Sequence, residues 1–112
     1  MAPIDDGDAE THPVAGFESE LDGSGVPVVH LFGELDIATV PCVEAEMEAV
    51  VTRADRRIVF DLAQVTFMDS SGIAMLLRAA ASVGDVAVRN PSAVVLRVLE
   101  ATGLTGILRV ES

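Results

Sequence analysis

"RRIVFDLAQVTFMDSSGIAMLLRAAASVG" (residues 56–84) changes character midway, and that change decides the fold. "RRIVFDL" (56–62) reads as a strand, bounded by charge and rich in β-branched and aromatic side chains. From Ser71 onward Ile73, Leu76, Leu77, Ala80 and Ala81 recur at helical spacing, and Gly84 ends that helix. "AQVTF" (63–67) reads as a short connection between the two. "FMDSSG" (67–72) marks the junction. A strand that passes through a brief connection into one amphipathic helix is the leading half of a β-α-β unit.

The same alternation continues on both sides. Upstream, "VAGFESE" (14–20) alternates weakly as a first strand, and "LDGSG" (21–25) supplies a turn. "VPVVHLFGEL" (26–35) has the dense apolar character of a buried second strand. Thr39 stands where an N-cap belongs, with Pro41 in the first turn. Val40, Val43, Met47, Val50 and Val51 then form a helical stripe ending near "RADRR". Glu44, Glu46 and Glu48 occupy the other faces. Downstream, "DVAVRN" (85–90) is a fourth strand. "NPSAVVLRVLEATG" (90–103) is a third helix, capped by Ser92, lined by Val95, Val98, Leu99 and Thr102, and closed by Gly103. "GILRVES" (106–112) supplies a last short strand. The expected fold is α/β: a mainly parallel, mixed sheet of about five strands, with an antiparallel first strand and about three to four helices.

Composition bounds what such a domain can do. The 112 residues suffice for one core. Residues 1–12 are acidic and aperiodic and read as a flexible tail, which leaves 13–112 as a single domain. The net charge is −11, and all seven basic side chains other than histidine are arginines. That is poor material for nucleic acid or an anionic membrane; it favours a partner carrying basic groups. No apolar run spans a bilayer, and the N-terminus lacks the pattern of a secretory signal, so a cytoplasmic location is expected. Cys42 is the only cysteine, and His12 and His30 fall in different segments; no metal site or cofactor is expected.

In a parallel sheet the carboxyl ends of the strands share one rim, where function collects. "GELD" (33–36) leaves the second strand there and "FMDSSG" follows the third, so Glu34, Asp36 and Asp69 are expected near Ser70 and Ser71. Four readings of the junction compete. Ser70 or Ser71 caps the helix, with Asp69 favoured by the positive helix end. A nucleophilic serine lacks a base, because His30 lies within an apolar strand, and lacks the glycine of a nucleophile elbow. An aspartyl-phosphate receiver needs a lysine, and the chain has none. A serine phosphoacceptor at an exposed helix start would add about −1.5 to −2 charges and alter binding.

"GELDIATV" (33–40), "FMDSSGIAMLL" (67–77) and "NPSAVVLRVLEATGL" (90–104) occur in an order that resembles the STAS-domain anti-sigma factor antagonists of bacteria. The resemblance covers most of residues 14–110. "DSSG" alone is weak; the three segments together are specific. One departure is "LLRAAASVGDVAVRN" (76–90), which passes from helix to strand in fewer residues than family members commonly use. The resemblance implies a STAS-like domain that is not an enzyme. It implies binding to an anti-sigma factor that is also a serine kinase, release of a sigma factor, and reversal by phosphorylation, which a separate serine phosphatase undoes. Carried over to this chain, the phosphorylated serine is Ser70, preceded by Asp69. Asp36 matches the acid of "GELD" near the binding surface, and Ser71 is the neighbour that is not the acceptor. Glu34, Gly72, Met75 and Arg78 complete the expected partner surface. Met75 falls off the apolar stripe and is expected to be exposed, with Arg78 one turn on along the same face. A different class of function is a STAS sensor or scaffold that binds a protein or small ligand and is never phosphorylated. Met47 is expected in the core, and Cys42 as a small packed residue, not a redox sensor, with nothing basic adjoining it.

Overall fold

The computed structural model describes residues 15–106 and 108–111. The acidic segment 1–12, His12 and the boundary at residue 13 lie outside the described residues. In chain order the elements are β1 (Gly16–Leu21), β2 (Pro27–Leu35), α1 (Val40–Arg53), β3 (Arg57–Met68), α2 (Ser70–Val83), β4 (Asp85–Arg89), α3 (Ala93–Ala101), a 3-10 turn (Leu104–Gly106) and β5 (Arg109–Glu111). The last strand is thus shorter than 106–112, because Gly106 belongs to the 3-10 turn.

The five strands lie in sequential order, β1 antiparallel to β2 and every later pair parallel. Each parallel step therefore needs one helical crossover, and crossovers of one hand in a sheet wound in one direction fall on one face. The packing agrees: a single core cluster joins Val40, Val43 and Met47 of α1, Ile73 and Leu76 of α2, and Val95 and Leu99 of α3 to Val29, Leu31, Phe60, Leu62 and Val88 of the sheet. The helix-free face holds only a small cluster, Val28, Val59 and Ala87, which pair across β2, β3 and β4. Around it lie ion pairs. Arg57 reaches Glu111 at 3.0 Å and Arg109 reaches Asp85 at 2.8 Å, so the short edge strand β5 is tied to β3 and β4 by side chains as well as by its ladder. On the β1 side, His30 lies 2.8 Å from Glu20 and 3.4 Å from Asp61.

β3 departs most from the sequence reading. It does not stop at Leu62 but runs through "AQVTF" to Met68. Against β2 it gains one extra residue between the pairs His30–Asp61 and Phe32–Gln64, and another between Gly33–Val65 and Glu34–Phe67. Each irregularity re-aims the following side chains, so the buried residues Leu62, Val65 and Met68 come at intervals of three instead of two. An alternation-based reading sees no strand there. The Ala63 N–H donates to Asp61 Oδ1 at 2.9 Å within the first irregularity.

α2 also differs. Its buried positions are Gly72, Ile73, Met75, Leu76 and Ala79, whereas Ala81 is exposed. α2 packs on the sheet and also against α1, along a seam lined by Met47 and Val51 of α1 and by Met75 and Ala79 of α2. The stripe is therefore wider than one face and rotated toward α1. Cys42, expected to be packed, is exposed instead: it sits on the solvent side of α1, between buried Val40 and Val43, and its thiol faces Glu46 at 3.7 Å.

Candidate functional site

The rim is assembled by the register of two strand ends. Leu35 pairs with Met68, so the residues that follow them, Asp36 and Asp69, leave the sheet side by side. The Asp69 N–H donates to the Leu35 carbonyl at 3.1 Å, which locks the start of α2 to the end of β2. Glu34, Asp36, Asp69, Ser70, Ser71 and Gly72 are thereby brought together at one end of the molecule. Glu34 and Ser70 are exposed; Asp36, Asp69 and Ser71 are half-buried.

The cap of α2 is Asp69, not a serine. Its carboxylate accepts from the Ser71 N–H at 2.8 Å, in extended backbone geometry. A carboxylate there satisfies an orphan donor and meets the positive helix end. Ser70 is the first helical residue, and among the described residues its hydroxyl makes no hydrogen bond within the protein. Capping therefore leaves the Ser70 hydroxyl unused.

Thr39, read as the side-chain cap of α1, occupies the cap position but makes no capping bond there. Its hydroxyl donates back to the Glu34 carbonyl at 2.6 Å. Asp36 closes the turn ahead of the helix: Oδ1 accepts from the Ala38 N–H at 2.9 Å and the Thr39 N–H at 3.1 Å, and its carbonyl accepts from the Val40 N–H at 2.9 Å. The Asp-x-x-Thr spacing ahead of Pro41 is the sequence signal for this closed turn.

Two expected partner residues do not sit at this rim. Met75 is 0% exposed in the α1–α2 seam and presents no surface to a partner. It left the single-face stripe because it serves the second face that α1 covers. Arg78 is exposed but lies eight residues beyond Ser70, roughly 12 Å along the helix. It lies one turn beyond Met75 on the side that faces α1, but outside the buried seam, and its guanidinium forms two bonds of 2.7 Å with Glu44 of α1.

That clasp makes a pH prediction. Hydrogen bonding from Arg78 holds the Glu44 carboxyl below its usual range, opposed by partial burial. A lowered folded-state pKa contributes stability above the unfolded-state value, about 4.3, and loses it as pH falls through the folded value. Wild type and Glu44→Gln should differ in thermal midpoint at neutral pH and converge in acid. The gap will be small, because the pair is solvent-screened.

A family model described as "Mlab, STAS domain" matches residues 20–109. The chain belongs to the STAS-domain anti-sigma factor antagonist family. The STAS domain is 36% identical over 91 residues to a Paenibacillus polymyxa protein named anti-sigma F factor antagonist, covering 77% of this chain and 78% of that one. It superposes on an anti-sigma factor antagonist from Mycobacterium paratuberculosis with a TM-score of 0.78 at 29% identity, covering 88% of this chain and 86% of that one. The antagonist SpoIIAA matches in its unphosphorylated form, with a TM-score of 0.70 at 27% identity over 86% of this chain and 88% of that one. The phosphorylated form from Bacillus matches with 0.64 at 26% identity over 86% and 91%.

Other features of the STAS domain bear on chemistry. Among the described residues no group of three or more His, Cys, Asp or Glu side chains is arranged to hold a metal ion. No helix among them is long and apolar enough to cross a membrane. His30 belongs to the pair of contacts with Glu20 and Asp61, five residues or roughly 16 Å of strand short of Leu35. It is not placed to take a proton from Ser70.

Proposed function

We propose that this STAS domain acts by binding: it captures a serine-kinase anti-sigma factor, which releases a sigma factor, and phosphorylation of Ser70 ends the capture until a serine phosphatase restores it. The observation that carries this reading is the state of Ser70, an exposed residue at the first position of α2 whose hydroxyl makes no hydrogen bond among the described residues. A kinase needs such a group; a serine that itself capped the helix would have its hydroxyl engaged. SpoIIAA, a relative with the same fold, exists in phosphorylated and unphosphorylated forms, which supports a modification that changes the surface while keeping the fold.

Electrostatics gives the switch its sign. A phosphoserine adds about −1.5 to −2 charges. The helix N-terminus stabilises that charge, so the fold tolerates it. Glu34, Asp36 and Asp69 already make the rim negative, so a partner must then meet one more desolvated anion among carboxylates. A loss of about 1.4 kcal/mol is tenfold in affinity.

The test begins with native protein recovered together with its bound partner and analysed by mass spectrometry for partner and phosphate. Ser70→Ala should bind that kinase like the unmodified protein, and Ser70→Asp about tenfold or more weakly. Equal binding of the two variants removes the switch. A phosphate on Ser71 in place of Ser70 overturns the residue assignment.

A further inference from the structure

We infer that Ile37 and Phe67 are the apolar anchors of the rim, and that the partner receives them in an apolar socket fringed by basic side chains. The inference rests on the rim's role as a partner site and adds two residues to it that carry no charge and no modification. Large apolar side chains exposed among the described residues are Leu21, Ile37, Phe67 and Val94. Two of these lie at the carboxyl ends of neighbouring strands, Ile37 just after β2 and Phe67 near the end of β3. Phe67 stands two residues before Asp69 and directly across from Glu34 in the β2–β3 register. Ile37 follows Asp36, whose neighbour Leu35 accepts the Asp69 N–H.

Single exposed apolar residues are ordinary on protein surfaces. What sets Ile37 apart is that it is 78% exposed on a turn with no freedom to hide it. Asp36 Oδ1 accepts from Ala38 and Thr39, and the Thr39 hydroxyl donates to the Glu34 carbonyl. A loose loop would fold its isoleucine onto nearby apolar surface. This one holds it outward, so the cost of ordering the contact is met before any partner arrives. Phe67, 44% exposed, is fixed by its strand. The adjacent pair Leu35–Met68 turns into the core, so Glu34 and Phe67 turn the other way, together.

Charge complementarity selects the partner. Glu34 stands across from Phe67 in the register and Asp36 precedes Ile37, so each apolar side chain has a carboxylate as its neighbour, and an apolar contact with a charged fringe is the pattern of a binding hot spot. The complementary surface is an apolar socket with arginine or lysine at its edge.

The test uses the full chain in the cells that make it, with the photo-reactive analogue benzoylphenylalanine at position 37, 67 or 21. Leu21, 68% exposed, pairs with Pro27 at the opposite end of the sheet and is the control. Irradiation should attach one and the same protein at 37 and 67, and not at 21. With that protein purified, Ile37→Ser and Phe67→Ser should each bind roughly tenfold or more weakly than wild type. Both should melt with the wild type, and Leu21→Ser should bind normally. Attachment at 21 equal to that at 37 and 67, no attachment at 37 and 67, or unweakened binding by both serine variants overturns the inference. If the attached protein is a kinase and the variants bind normally, the proposed function stands and the anchors fall. If the attached protein is no kinase and the variants lose binding, the anchors stand and the kinase reading falls.

Discussion

Phe60→Ala is expected to lose about 3–5 kcal/mol of folding stability, a large part of the roughly 5–15 kcal/mol a domain of this size has. Phe60 is 0% exposed in the middle of β3, paired with Val29 on one side and Val88 on the other. It stands in the core cluster that all three helices share, so the surrounding elements cannot all collapse into the space left behind. The penalty is then loss of burial plus a residual cavity. Chemical denaturation read by circular dichroism would measure it. A change below about 1 kcal/mol would mean that the core does not converge on β3.

Gly72→Val is expected to cost about 2–3 kcal/mol through overpacking and to disturb the rim as well. A Cβ at this position would lie 2.6 Å from Met68 Cγ, 3.2 Å from Leu35 Cβ and 3.2 Å from the Leu35 carbonyl oxygen. Met68 and Leu35 are both buried, so neither has room to retreat. The relief available is for the first turn of α2 to lift away from the strand ends, which stretches the bond from Asp69 to Leu35 and carries Ser70 with it. Gly72→Val should therefore bind partner more weakly than its stability loss alone explains, while Phe60→Ala should bind normally at temperatures where it is folded. Equal binding by Gly72→Val and wild type would show that the rim does not depend on this close approach.

Gly72 also shows how far the site was legible in the sequence. A glycine behind Asp-Ser-Ser marks a helix start, and the resemblance carried by the flanking motifs implies the role proposed for Ser70. That Gly72 must be glycine because Met68 and Leu35 press on it is a tertiary fact. The carboxylates were legible as rim residues, because parallel topology sends both "GELD" and "DSSG" to one end. Which group caps was misread: Asp69 caps α2 in place of a serine, and Thr39 stands at the cap of α1 without a side-chain capping bond while Asp36 closes the turn before it. Side-chain oxygens three residues apart compete for the same donors, and local sequence does not rank them.

Met75 and Phe67 mark the boundary between the two kinds of knowledge. The order of strands and helices, the cap at Ser92, confirmed by its bond from the Val95 N–H at 3.2 Å, and the closing glycines were all written in local sequence. Each depends on the conformational preferences of a few adjacent residues. Tertiary structure alone decided that Met75 is buried, because the second face of α2 exists only once α1 lies against it. It alone decided that β3 continues through "AQVTF", because its irregularities are defined by a register against β2. And it alone left Ile37 and Phe67 exposed at the ends of β2 and β3, since exposure depends on what the rest of the chain leaves uncovered. Local preference acts over a turn or a strand; burial and register are properties of pairs of elements far apart in the chain.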